Sequence, residues 1–473
     1  MRICIICEGS YPYVTGGVSS WINTLIRGMT EHEFIIYTIG AFEKSRGKYK
    51  YELPSNVISI EEIFLDSIYS IENKSKFKNI AMSDELAYLI KQLILGNEFD
   101  WELFIILIRE LEMENVMELF MSKQFFEILK EICTEFYTHL PFTDFFWSMR
   151  SMLLPILYLV RQEVPYADLY HSVSAGYGGI IGGIGKCLYS KPYLLTEHGI
   201  YAREREEEII KSDWVKGHFK DEWIKFFYNL ARCSYNLTSK VATLFGDNRR
   251  VEIDLGCDAN KIEIIPNGVD IGRFKNEFPE EERDYINIGA VVRVVPIKDI
   301  KTMLSAFSLL KEKIDKVNLY IIGPIDEDED YYEECLEMVN YLKIKDVYFT
   351  GTVNISEYLG KMDILLLSSV SEGQPLAILE GMACGKPFVA TNVGSCKELL
   401  YGREDQYGDA GIIVPVMDYD KMAQGLYLLC NNEKLRREMG ENGYRRVNEY
   451  YTLKNFIDSY KYLYNTLMNQ GEI

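Results

Sequence analysis

Short apolar runs closed by turn residues, alternating with amphipathic stretches, set the rhythm of this chain from its first residues. Residues 2–7 are an apolar run ended by Glu8-Gly9-Ser10, and after the loop YPYVTGG an amphipathic segment runs from Val18 through Trp21, Leu25 and Ile26. A second β-rich run at 34–39 completes strand, Gly loop, helix and strand, the βαβ unit of a parallel sheet. From about 60 to 160 the texture changes to long helical patterns rich in Leu, Ile, Phe and Glu, which predicts a helical insertion whose apolar residues form core. The α/β rhythm resumes with a strand at 169–173, a Gly-rich helix start at 176–185, and strands at 193–196, 237–242 and 262–265. The turn cluster Pro266-Asn267-Gly268-Val269-Asp270 makes a natural boundary. Beyond it the pattern begins again, with strands at 286–291, 318–322, 347–349, 364–367 and 387–390 and helices at 302–310 and from Pro375.

Two doubly wound α/β domains in series are therefore predicted. Residues 1–271 form the first, with its insertion at about 60–160; 272–450 form the second, and 451–473 hold a closing amphipathic helix at 451–468. A length of 473 residues with 48% hydrophobic content fits at least two cores. The 51 basic and 71 acidic residues leave a net charge of −20, which repels nucleic acid over most of the surface. Any anionic ligand must then find a local positive site. Ten scattered cysteines suit a reducing compartment, and the odd spacing of Cys4 and Cys7 on a strand sends the thiols to opposite faces rather than to one metal. No signal-like segment and no apolar run of ~20 residues is present, so a cytoplasmic protein is expected.

The segment SSVSEGQPLAILEGMACGKPFVATNVGS carries the most chemistry. Glu372 and Glu380 flank a helix start, Gly373 lets backbone approach a ligand, and Pro375 suits a position whose N–H would be unpaired anyway. A phosphate there would meet free N–H groups and the positive end of the dipole, and Glu380, roughly 7 Å further along the axis, is placed to accept bonds from two sugar hydroxyls. The plain alternative is an acidic helix start that complements its own dipole. Arg293 and Lys298, in AVVRVVPIKDIKT, follow a strand at the carboxyl edge where open α/β sheets bind ligands; they suit a departing pyrophosphate, or are solvated loop charges. Gly16 and Gly17 occupy the position of a phosphate-approach loop or of a simple tight turn. His198, in TEHG, closes another strand. The acidic run 326–330 imitates a metal motif, but nothing completes a coordination set, so it reads as a solvated loop and no metal site is expected.

These segments, in this order, resemble glycosyltransferase family 4, whose EX7E element Glu372 and Glu380 match, and more closely the PelF branch. The resembling stretches are EGSYPYVTGGVSSW, LLTEHGIYARERE, IPNGVD, VVRVVPIKDIKT and SSVSEGQPLAILEGMACGKPFVATNVGSCKEL, with the region from about 60 to 160 the least similar. The resemblance implies a GT-B fold, two Rossmann-like domains facing across a cleft, and retaining transfer from a UDP-sugar without a metal or other cofactor. It implies that Arg293 and Lys298 hold the diphosphate, Glu380 the ribose, and Glu372 with the backbone of Gly373, Gln374, Pro375 and Leu376 the donor sugar and β-phosphate. His198 would face the sugar, Gly16 and Gly17 would lie beneath the phosphates, and the closing helix would cross back to the first domain. A saccharide acceptor and membrane-embedded Pel synthase components are the implied partners, with the enzyme at the inner face of the membrane through them. A catalytically silent UDP-binding subunit and a UDP-sugar epimerase are the alternatives on the same fold.

Overall fold

A computed structural model of the chain describes residues 1–71, 80–274, 284–403 and 405–470. It divides into two compact units: 1–243 with 248–264 and 460–473, and 244–247 with 265–459.

The sheet of the first unit consists of β1 (Arg2–Glu8), β2 (Glu33–Gly40), β3 (Val57–Phe64), β4 (Leu169–Ser172), β5 (Tyr193–Glu197), β6 (Lys240–Thr243) and β7 (Ile262–Ile264). All neighbours are parallel, in the order β3-β2-β1-β4-β5-β6-β7. Runs such as RICIICE and FIIYTI can be apolar throughout because helices cover both faces of a parallel sheet. The chain winds outward from β1 to β3, then returns to β4 and winds the other way, so the loops after β1 and β4 part at a topological switch point.

The expected insertion needs one correction. Residues 57–64 are a strand, so the helical region starts only beyond Phe64. Its principal helices are Asp84–Leu95, Trp101–Glu110, Lys123–Phe136 and Phe142–Val160. Ser83, Asp100 and Ser122 cap the first three by accepting a backbone N–H of the first turn. Two arginines close the carboxyl ends of Trp101–Glu110 and Phe142–Val160 reciprocally: Arg109 donates to the carbonyls of Val160 and Gln162, and Arg161 to those of Arg109, Leu111 and Met113. The apolar faces of these helices merge with the sheet into one core.

The second unit holds β8 (Ile286–Val291), β9 (Val317–Ile322), β10 (Val347–Phe349), β11 (Ile364–Leu367), β12 (Phe388–Thr391) and β13 (Gly411–Val414), parallel in the order β10-β9-β8-β11-β12-β13. Its switch point lies between β8 and β11, where Ile364 pairs with Ile288 and Leu365 with Gly289. The segment IPNGVD belongs here rather than to the first unit. Asn267 N–H donates to Gln374 Oε1 at 2.6 Å, and Val269 exchanges backbone bonds with Tyr451 and Leu453. Arg446, fully buried on helix Glu433–Tyr450, uses five N–H bonds: two to Asp405 at 2.6 and 2.8 Å, and three to the carbonyls of Leu399, Leu400 and Gly408.

The last helix is Leu453–Gln470, and its residues from Tyr460 onward belong to the first unit. There His171, buried inside β4, hydrogen-bonds Tyr464 through Nδ1 and Thr196 through Nε2, both at 2.7 Å, while Thr196 also contacts the Tyr460 hydroxyl at 3.0 Å. Burial lowers His171 to about 3, so the ring is neutral and can bond as both donor and acceptor. Among the described residues no helix is long and apolar enough to cross a membrane.

Candidate functional site

At the carboxyl edge of the second sheet, the loops after β8 and β11 meet. Residues 296–298 form a short 3-10 turn ending in Lys298, and Asp299, at φ 46°, reverses the chain and caps helix Ile300–Lys311 through Thr302 N–H. After β11, Ser368 Oγ donates to Lys298 O and Val370 N–H to Ile297 O, which ties the two loops together. In that frame Lys298 Nζ lies 2.5 Å from Glu372 Oε1, with both side chains largely shielded from water. Ser369 Oγ donates to the same oxygen at 2.6 Å. Gly394 packs beneath: at its φ of +50° an added Cβ would lie 2.2 Å from the carbonyl oxygens of Glu372 and Gly373, so no larger residue fits without moving that backbone.

Helix Leu376–Ala383 follows, with Pro375 at its N-cap and no side chain capping it. Its first N–H groups therefore remain available to an anion. Gln374 is different: its side chain is buried and its amide oxygen accepts from Asn267 N–H. Glu380 lies in the next turn, where burial raises its pKa to about 7 against the opposing pull of the Arg273 guanidinium.

Arg293 does not join Lys298. Its guanidinium pairs with Glu327 at 2.5 Å, both side chains exposed. The acidic run that holds Glu327 is accordingly more than a solvated loop. Asp328 caps helix Glu329–Tyr341 by accepting from Tyr331 N–H, and Glu329 and Asp330 sit in its first turn. Among the described residues no group of three or more His, Cys, Asp or Glu side chains is placed to hold a metal ion.

The first unit gathers its own group at the carboxyl ends of β1 and β5. Gly16 and Gly17 open helix Gly17–Arg27, which no side chain caps, and a Cβ added to either would meet nothing within 4 Å. Packing within the protein thus gives neither residue a reason to be glycine. His198 follows β5 and stands edge-on to Trp21, with ring centroids 4.7 Å apart. Among the described residues its buried Nε2 has no hydrogen-bond partner, and burial lowers its pKa to about 4, so the imidazole is neutral at physiological pH.

Sequence reasoning missed Ser369, Arg273 and Trp21. A signal existed for the first, since two hydroxyls directly after an apolar strand stand at the edge where ligands bind. None existed for Arg273, whose relation to Glu380 spans the turn cluster.

Residues 1–260 match the family described as a domain of unknown function (DUF3492), and residues 269–446 match glycosyl transferases group 1. The N-acetyl-alpha-D-glucosaminyl L-malate synthase of Bacillus anthracis is 31% identical over 207 residues, 43% of this chain. The chain spans about half the length of that relative, 51%. The capsular polysaccharide biosynthesis glycosyltransferase CapM of Staphylococcus aureus is 25% identical over 69% of this chain and 83% of its own. Among solved structures, HepE of Anabaena in complex with UDP superimposes with a TM-score of 0.61 at 13% identity, covering 98% of this chain and all of that one. The same protein was solved with UDP-glucose, at a TM-score of 0.59 and 15% identity, covering 98% of this chain and 100% of that one. At such identities the likeness shows the fold, which is GT-B.

Proposed function

The chain belongs to the DUF3492 family and carries a group 1 glycosyl transferase domain; from that premise we propose that it is a retaining glycosyltransferase moving a sugar from a UDP-sugar to a growing saccharide, in exopolysaccharide synthesis of the Pel type. The observation that carries this reading is the contact of Lys298 with Glu372 at the switch point of the second sheet, beside an uncapped helix start. The carboxylate fixes the ammonium in place where little water reaches it, and an arriving diphosphate shares that cation with Glu372. In this reading the helix N–H groups and Lys298 take up the charge that grows on the departing UDP, so no metal is needed. Glu380 accepts from the ribose hydroxyls, and neutral His198 supplies a hydrogen bond to the donor sugar. The β-phosphate oxygen assists deprotonation of the acceptor hydroxyl, since no residue is assigned as a covalent nucleophile. The names of the UDP-bound and UDP-glucose-bound HepE structures support a UDP-sugar donor. Cytoplasmic action beside membrane-embedded Pel components follows from the same reading.

The test is a binding and turnover screen with UDP-glucose, UDP-N-acetylglucosamine and UDP-N-acetylgalactosamine. One of them is expected to bind and to be slowly hydrolysed; absence of binding by all three at millimolar concentration sinks the reading.

Glu380 gives this site a pH signature. Its carboxylate form is the one that accepts two hydroxyls, and with a pKa of about 7 it is partly protonated at neutrality. Lowering the pH therefore adds a proton that binding must expel. UDP-glucose affinity is expected to fall roughly twentyfold from pH 7.5 to 5.5, by one-proton linkage. The phosphates of UDP-glucose and His198 do not titrate over that span. In Glu380→Gln the profile flattens; a wild-type profile already flat there contradicts the assignment.

Arg293 must leave Glu327 to reach a diphosphate. Removing the competitor in Glu327→Ala is expected to tighten UDP affinity by up to about fivefold, the scale of an exposed ion pair. Adding Arg293→Ala should abolish the gain. Unchanged or weaker binding in the single variant shows that Arg293 stays outside the site.

A further inference from the structure

The helical insertion and the loop after helix Tyr201–Lys211 form a groove of about 200 Å³ on the first unit, lined by none of the residues assigned above to the donor. Its rims are indoles: Trp147, 54% exposed on helix Phe142–Val160, and Trp214, 68% exposed on the loop. Trp223 stands edge-on to Trp214, with ring centroids 5.2 Å apart and planes at 81°. Asp144, Ser148 and Ser151 line the same groove from the helix that carries Trp147.

Two large indoles left half in water forgo burial that a core would supply, so their exposure calls for a ligand. Both are held in place. Lys220 Nζ donates to the carbonyls of Ile210 and Ser212 at 2.7 and 2.9 Å, which fixes the loop before Trp214, and Lys216 pairs with Asp144 at 2.9 Å across the groove. The Arg150 guanidinium lies 5.3 Å from the centre of the Trp147 ring.

Fixed aromatic faces beside hydroxyls and a carboxylate suit a ligand that is apolar on its face and polar around its edge. A pyranose ring has that character: its C–H face packs on an indole while its hydroxyls donate to Asp144 and exchange bonds with the serines. The lining holds one cation and one carboxylate, Lys216 and Asp144, paired with each other, so the groove offers no unbalanced charge to an ion and suits a neutral ligand.

We propose that this groove is a second saccharide-binding site, which holds a neutral oligosaccharide and so tethers the growing product away from its reacting end. It rests on the glycosyltransferase reading only in taking saccharide as the material handled. Tethering raises the local concentration of acceptor without adding any contact at the reacting centre.

The test measures binding of cellohexaose and chitohexaose to the full chain by calorimetry and saturation-transfer NMR, with binding of UDP-glucose, UDP-N-acetylglucosamine and UDP-N-acetylgalactosamine measured in parallel. At least one hexasaccharide is expected to bind. Trp147→Ala and Trp214→Ala should each weaken it roughly tenfold, and the pair should abolish it, because each removes an aromatic platform. Both indoles lie outside the core and away from the donor residues, so the variants should remain folded and UDP-sugar affinity should stay unchanged. The proposal is overturned if neither hexasaccharide binds at millimolar concentration, or if the double variant binds as well as the parent. It is also overturned if the two indoles instead prove necessary for binding vesicles containing anionic lipid. Failure with UDP-sugar binding intact removes the groove alone, whereas absence of UDP-sugar binding removes the function it rests on.

Discussion

Lys298→Ala is expected to lower turnover of the UDP-sugar at least roughly thirtyfold, a loss of about 2 kcal/mol of transition-state stabilisation. Two effects push the same way. The variant loses the cation that meets the growing charge on the leaving diphosphate, and it leaves the Glu372 carboxylate beside that charge with only Ser369 donating to the oxygen Lys298 had occupied. Ground-state binding of the UDP-sugar should fall less than turnover, because the leaving group gains charge only as its bond to the sugar breaks. Lys298→Arg keeps the charge but not its point geometry, so partial recovery is expected. Single-turnover rates and UDP-sugar affinities separate loss of transition-state stabilisation from loss of binding. Turnover within threefold of the parent would contradict the role given to Lys298.

The largest expected loss of stability lies elsewhere, at Arg446→Ala. The Asp405 carboxylate, held below the usual range chiefly by its bond to this guanidinium, would remain buried with the Tyr407 N–H as its remaining donor. The carbonyls of Leu399, Leu400 and Gly408 would lose donors at the same time. Breaking one side of a buried ion pair costs about 3–5 kcal/mol. The denaturant transition of the second unit should move accordingly. Arg446→Ala combined with Asp405→Ala should recover part of the loss, because no charge is then left without its partner. A single-variant shift below about 1 kcal/mol would show that the loop 402–410 can rearrange to resolvate Asp405.

Most strands were legible because parallel strands covered on both faces leave continuous apolar runs. β3 escaped because VISIEEIF lies at an edge of the sheet, with Glu61 and Glu62 interrupting the run and most of its residues only partly buried. β13, at the other sheet's edge, was not predicted although its run GIIV is as long as others that were. At the donor site, spacing alone suggested that Glu372 and Glu380 share a helix start. The pairing of Lys298 with Glu372 spans 74 residues and arises from strand order, which no local pattern records. The same holds for Arg293 and Glu327. Their contact joins a loop assigned to the diphosphate and an acidic run read as solvated, because period and composition describe one segment at a time.

The tyrosines of the final helix bear on how this molecule can be divided. A cut near residue 260, where the first family match ends, removes the hydroxyls that satisfy His171 and Thr196 inside the first sheet. The amino-terminal lobe is therefore completed by the carboxyl tail. Chimeras that exchange lobes between relatives must transplant that tail with the lobe it completes, and a junction drawn only at the turn cluster would pair the first sheet with a stranger's tyrosines.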